Sequence, residues 1–221
     1  MNRTYNPKPY PIYDAHRIER LSILDALNDP DVQNVCRGRV LDAGCGRKPY
    51  KSLFKNYTEW IGIDKLNPLA DVIGDVTKLP FKDETFDTIL CTQTLQYVEE
   101  PGVAIKEFNR VLKMGGHLIL TVPFLWSGGG HGDLWRFTVG GLRFLVEKNG
   151  FVVVKVKPRS SFIETECQMF LNYLVEKTKG GAFLKAPIVV LVNLLSSIVK
   201  KLFTPSEKYA IGFLIVARKQ L

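Results

Sequence analysis

Three aspartates each close a short apolar run: Asp42 in "RVLDAGCGRKPY" (39–50), Asp64 in "WIGID" and Asp75 in "DVIGDVTKLPF". An acid at the carboxyl end of a buried strand can accept hydrogens from a ligand's hydroxyl or amino groups, because open α/β sheets bind their ligands at that edge. After Asp42, Gly44 and Gly46 let the main chain pass close to a ligand with no Cβ in the way. A lone GxG is a weak sign, and Pro49 stands where GxGxxG needs its third glycine, which argues against a dinucleotide site. Asp64, about twenty residues beyond that turn, is placed to accept both hydroxyl hydrogens of a ribose. Asp75, after its own short strand, could accept from an adenine amino group. A further stretch, "WSGGGHGDLWRFT" (126–138), carries three consecutive glycines, then His131 and Asp133, the residue types of a general base near neutral pH and its orienting partner. The same stretch also reads as scaffolding, with Asp133 pairing Arg136 and Thr138 capping a helix from Val139 to Lys148. His117, after Gly-Gly on a strand, reads as structural.

The elements that must position these residues alternate. Apolar runs at Val40–Ala43, Trp60–Ile63, Thr88–Cys91 and Leu118–Val122 read as strands, with helical patterns at 48–56 and 101–113 between them. Strands of four or five residues separated by helices require crossover connections, hence a mostly parallel sheet covered on both faces. Before them, residues 14–28 read as a helix, with Ile18, Leu21, Leu24 and Leu27 at steps of three.

Taken in order, "RVLDAGCG", "WIGID", "DVIGDVTKLPF", "FDTILCTQTLQYVEEP" and "EFNRVLKMGGHLILTVP" resemble the class I S-adenosylmethionine-dependent methyltransferases, in the subgroup acting on small molecules and lipids. The resemblance covers residues 39–123. It implies an α/β, Rossmann-like seven-stranded sheet, mostly parallel, with helices on both faces and the last strand antiparallel. It also implies S-adenosyl-L-methionine as cofactor, with no metal. Asp42, Gly44 and Gly46 match the glycine-rich loop that holds the methionine end, and Asp64 matches the ribose-binding acid. Asp75 and the backbone at Val76 match the adenine contacts, and Thr92 with Gln93 the end of the fourth strand that touches the methionine portion. Tyr97 departs from the histidine of many relatives, and a packing role is expected for it. The fourth strand ends in "CTQT" and not in an Asn-Pro-Pro-Tyr run, which points away from DNA bases and toward a small-molecule, sugar or lipid-linked acceptor. A catalytically inactive protein of the same fold is the alternative, and the intact acids and glycines favour the enzyme.

At 221 residues the chain suits one domain: an entry segment (1–38), a cofactor-binding core (39–158), a helical insertion (159–206) and a final strand (207–221). No phosphate loop GxxxxGK(S/T), HExxH, CxxC pair or GxSxG elbow is present. The net charge of +8 suits a nucleic acid or an anionic surface, but the basic residues form no stripe with aromatics, which disfavours nucleic acid. The four cysteines are unpaired by spacing, and the N-terminus lacks an apolar leader; a cytoplasmic protein with reduced thiols is expected.

The insertion departs from the fold's pattern, since about fifty residues separate "FVVVKVKP" from "YAIGFLIVARK". It holds one helix near 162–177 and a second starting at Pro187, whose Ile188, Leu191, Leu195, Ile198 and Leu202 line one face. At ~1.5 Å per residue that second helix reaches only about 25 Å, and Asn193, Ser196 and Ser197 interrupt it, so a membrane span is disfavoured. Its wide face fits a lid over an apolar acceptor, a dimer contact, or a helix in the membrane interface with Lys200 and Lys201 at the headgroups, within residues 180–204. An ordinary buried helix is the plain alternative.

Overall fold

The computed structural model describes residues 10–127, 132–177 and 182–220. Seven strands run through it: β1 (Gly38–Ala43), β2 (Tyr57–Asp64), β3 (Val72–Ile73), β4 (Phe86–Thr92), β5 (Leu112–Pro123), β6 (Phe151–Pro158) and β7 (Gly212–Lys219). They form one sheet in the order β3-β2-β1-β4-β5-β7-β6. Pairings among the first five are parallel, and β7 lies antiparallel between β5 and β6, as expected for the last strand. The order reverses between β1 and β4, so their carboxyl ends diverge and open a crevice there.

Alternation along the strands builds two cores. Leu41, Ile89, Leu118 and Ile215 face one side, with Ala104, Ile105 and Phe108 of α3 (Pro101–Val111) and Leu142 and Val146 of α4 (Val139–Lys148). Their neighbours Val40, Leu90, Ile119 and Leu214 face the other, with Ile23, Ala26 and Leu27 of α1 (Arg17–Leu27) and Val32 of α2 (Pro30–Val35). Each such side chain contributes roughly 1.5–3 kcal/mol on burial. That exceeds the few tenths per residue of helix propensity, so packing on the sheet fixes these elements.

Two expectations are corrected. The helix at 48–56 is only a 3₁₀ turn, Lys51–Leu53: Pro49 disfavours helical backbone at Lys48, which takes φ +55°. The second insertion helix begins five residues before Pro187, as α6 (Ala182–Val199); a proline there removes one bond near the helix start without ending the helix. Asn193 and Ser196, which interrupt the apolar run of that helix, face inward, both buried.

The insertion buries polar side chains beside the apolar Leu171, Leu174 and Val189. On α5 (Phe162–Lys177), Glu164, Thr165, Gln168 and Asn172 are buried, while Phe170 and Tyr173 are exposed. On α6, Ile188, Leu191, Leu194, Leu195 and Ile198 are exposed. The inward polar groups satisfy the backbone of the entry segment. Asn193 donates to the carbonyls of Ile12 (2.7 Å) and Asp14 (3.0 Å), and Gln168 donates to that of Ala15 (2.8 Å). The Gln168 carbonyl in turn accepts the Glu19 N–H at 3.1 Å. A buried backbone group left unpaired costs about 1–3 kcal/mol, so this network holds the start of α1 in place.

Candidate active site

At the end of β1 the chain turns with Gly44 at φ +72° and Gly46 at φ +49°. The Gly44 and Cys45 N–H groups donate to the Ile63 carbonyl at 2.8 and 3.0 Å, which laces the turn to β2. A Cβ on Gly44 would lie 2.2 Å from the Thr94 hydroxyl, whereas one on Gly46 would meet nothing within 4 Å; the backbone at Gly46 is therefore bare toward open space.

Asp64 completes the turn. One carboxylate oxygen accepts the Gly46 N–H at 2.9 Å, and the other accepts those of Leu66 and Asn67, both at 2.9 Å. Partial burial opposes its charge, but these three donors outweigh it and hold its pKa below the usual carboxylate value. Asp75 is pulled down to about 2 by Lys65, with further bonds from the Thr77 N–H and hydroxyl. Its bridge to Lys65 (2.9 Å) is solvent-exposed on the lysine side, a kind worth about 0–1 kcal/mol and readily exchanged for a ligand donor.

Three cavities meet at this edge. The first, ≈ 480 Å³, is lined by Gly44, Asp64, Asp75, Val76, Gln93 and Tyr97 among others. The second, ≈ 460 Å³, lies over Gly44, Gly46, Thr92 and Gln93, with Glu19 and Arg20 of α1 on its far side. The third, ≈ 210 Å³, is lined by Glu19, Gln93, Gln96, Tyr97, Pro123, Trp126 and Asp133. Gln93 lines all three. It has φ +50°, a left-handed conformation uncommon for a residue with a Cβ, and its N–H is held by the Thr121 carbonyl at 2.9 Å.

Of the residues expected from the sequence, Gly44, Gly46, Asp64, Asp75, Val76, Thr92 and Gln93 therefore converge on adjoining cavities. Asp42 lines none of them: it lies beneath the turn, 1% exposed, and accepts the Trp60 indole N–H at 3.3 Å. Burial pushes its pKa up to about 7. Asp133 reaches the third cavity, but Arg136 holds both its oxygens at 2.6 and 2.7 Å, and Thr138 caps α4 through the Gly141 N–H at 3.1 Å. His131 lies outside the described residues. His117 sits toward the amino end of β5, away from the crevice. The packing role expected of Tyr97 is not what is found, since its ring is 52% exposed and lines two of the cavities. Glu19, Gln96 and Trp126 carry no local motif, and nothing in the sequence pattern singles them out.

A mostly parallel sheet with an antiparallel seventh strand, and a glycine turn beside two strand-end acids at its switch point, defines the class I methyltransferase fold. The family model described as a methyltransferase domain matches residues 41–120. An uncharacterized protein of Methanocaldococcus jannaschii is 31% identical over 119 residues, 50% of this chain and 55% of its own. A demethylmenaquinone methyltransferase of Streptomyces griseus is 45% identical over 47 residues, 21% of this chain and 20% of its own. The chain thus spans about half or less of the length of these relatives. Among solved structures, an S-adenosylmethionine-dependent methyltransferase of Thermotoga maritima superposes with a TM-score of 0.60 at 21% identity, covering 93% of this chain and 92% of that one, and shares the fold. Residues 41–120 match the methyltransferase domain family, and the chain as a whole shares the fold of an S-adenosylmethionine-dependent methyltransferase. The site fits S-adenosylmethionine as cofactor: two strand-end carboxylates line a cleft of suitable volume beside bare backbone.

Proposed function

We propose that this chain transfers the methyl group of S-adenosylmethionine to a small-molecule, sugar or lipid-linked acceptor. The observation that carries the reading is the Gly44–Gly46 turn tied to Asp64, with Asp75 across the same cleft. Asp64 would hold the ribose, Asp75 and the Val76 backbone the adenine, and Asp42, Gly44, Gly46, Thr92 and Gln93 the methionine end, Asp42 from beneath the turn. When bound, the cofactor supplies an activated methyl on a sulfonium whose leaving group is neutral. The protein's part is then to orient the acceptor, an effect worth up to ~10⁵–10⁸ M in effective molarity. Gln93, at the junction of the cavities, lies where the two reactants would meet. His131 and Asp133 keep their proposed roles as base and partner, supported by Asp133 on the third cavity. The small-molecule acceptor class draws on the demethylmenaquinone methyltransferase among the relatives. Calorimetric titration with S-adenosylmethionine and its demethylated product tests the assignment: saturable one-to-one binding of both is expected, and no binding of either contradicts it.

The insertion supports a lipid surface as a further part of this proposal. Leu191 and Ile198 are 56% and 67% exposed on a helix that buries Asn193 and Ser196 beside Val189. No helix among the described residues is long and apolar enough to cross a membrane, so contact would be interfacial. Lys200, expected at the headgroups, is held by Asp25 and lies 3.6 Å from Glu164; the Lys201 side chain is outside the described residues. Binding would then rest on apolar burial aided by the chain's +8 charge. Co-sedimentation with anionic liposomes is expected for the full chain and is expected to be lost in Leu191→Asp/Ile198→Asp. Undiminished binding by that variant would refute membrane contact through α6.

A further inference from the structure

The third cavity is walled by groups that lack donors. Glu19, in the first turn of α1, lines it together with the second cavity, and its carboxylate takes no hydrogen bond from any described residue. Gln96 is 4% exposed, and its Oε1 is buried with no partner. The amide orientation is set by the other end, where Nε2 donates to the Gln93 carbonyl at 3.0 Å, so the free atom is the oxygen. The Gln93 amide donor is likewise occupied, by the Thr121 hydroxyl at 3.3 Å. A buried acceptor without a donor costs about 1–3 kcal/mol, and the unpaired Gln96 Oε1 together with the Glu19 carboxylate on one cavity marks a place that a donor-bearing ligand completes.

Burial raises the pKa of Glu19, and a cation behind it opposes that shift. Arg159 is 5% exposed, and its Nε and Nη2 are buried without partners; it attracts Glu19 through space, with no ion-pair contact, and does not line the cavity. Arg20, bound to Asp14 at 2.7 Å, and His16, tilted at 45° to Trp126 with ring centroids 6.1 Å apart, act in the same direction, and Asp14 acts against them. The two oxygens of Glu19 therefore stay free for a ligand. Desolvation nonetheless raises its pKa, and a cationic partner in the cavity would reverse that shift. Trp126 and Tyr97, also on the wall, offer aromatic faces that attract cations.

We propose that the third cavity is a subsite for a protonated amine of the acceptor, with Glu19 as its anionic anchor and the Gln96 Oε1 as a second hydrogen-bond acceptor. An ammonium carries three donors and no acceptor, which matches the unpaired oxygens; a hydroxyl offers one donor and a carboxylate is repelled. This rests on the methyl-transfer reading, since the subsite adjoins the residues assigned to the methionine end. It is also where the insertion acts on the chemistry: Gln168 and Asn193 fix the segment from which Glu19 projects.

The test uses three isosteric probes, benzylamine, benzyl alcohol and benzoate, on the full chain at pH 8, with and without saturating S-adenosylhomocysteine, read by ligand-observed NMR. Benzylamine is expected to bind at least tenfold tighter than either analogue. Glu19→Gln is expected to weaken it at least tenfold when the cofactor site is already filled by saturating S-adenosylhomocysteine. In the unmodified protein, the ¹³C signal of the Glu19 carboxyl is expected to move on adding benzylamine, a readout that does not depend on the variant folding. Equal or tighter binding of the alcohol or benzoate, an unmoved carboxyl signal, or full binding by a folded Glu19→Gln overturns the subsite. Selective benzylamine binding without any binding of S-adenosylhomocysteine would uphold the subsite and overturn the cofactor reading. Binding of S-adenosylhomocysteine with no benzylamine binding would do the reverse.

Discussion

Replacing Asp64 by Ala is expected to weaken S-adenosylhomocysteine binding by about 1–3 kcal/mol, or roughly 5- to 150-fold. Two losses combine. The proposed ribose hydroxyls lose their acceptor, and the N–H groups of Gly46, Leu66 and Asn67 lose theirs, which frees the glycine turn from β2. Asp64→Asn separates the two, because its amide oxygen can still accept from two of the three N–H groups while the charge is gone. Unchanged affinity of Asp64→Ala by calorimetry would remove Asp64 from the cofactor site.

Asp42→Asn is expected to stabilise the fold at pH 8 and to leave it almost unchanged near pH 4. Burial raises the Asp42 pKa from 3.8 to about 7, so between those values the folded state binds a proton that the unfolded state does not. The stability contributed by the protonated acid is complete below about pH 4 and is lost as pH rises through about 7. At about 1.36 kcal/mol per pH unit, that window corresponds to at most ~4 kcal/mol. Asn mimics the protonated acid, keeps an oxygen for the Trp60 N–H and has no charge to bury. Denaturant unfolding of both proteins at pH 4 and pH 8 measures the difference, in which other titrating groups cancel. Parallel pH dependences would show that Asp42 ionises freely in the fold.

The acids and glycines of the cofactor edge were legible because local rules fix them. A short apolar run leads into each acid, and after Asp42 a glycine turn follows, so Asp42, Gly44, Gly46 and Asp64 fall near strand ends whatever surrounds them. The bounds of α5 emerged from its length and pattern in the same way. Elsewhere, tertiary partners overrode the pattern. Pro49 turned a helical pattern into a 3₁₀ turn, and Pro187 was absorbed inside a helix. The apolar stripe of α6 was visible, but which way it faced was not: the inward polar face has as its partner the backbone of residues 12–15, which no side-chain periodicity records. Glu19 was missed for the same reason. It comes from an entry helix that reads as ordinary packing, and only the fold brings it to Gln93.

Methyl transfer itself is the most direct measure of the central reading. The full chain, incubated with S-adenosylmethionine labelled on the methyl group and a cell extract, is followed by mass spectrometry for products carrying the label. The expected result is at least one labelled small molecule or lipid that is formed with the unmodified chain and reduced with Asp64→Ala. Saturable cofactor binding with no labelled product in any extract fraction would contradict transfer and leave a methyltransferase fold that binds without turnover.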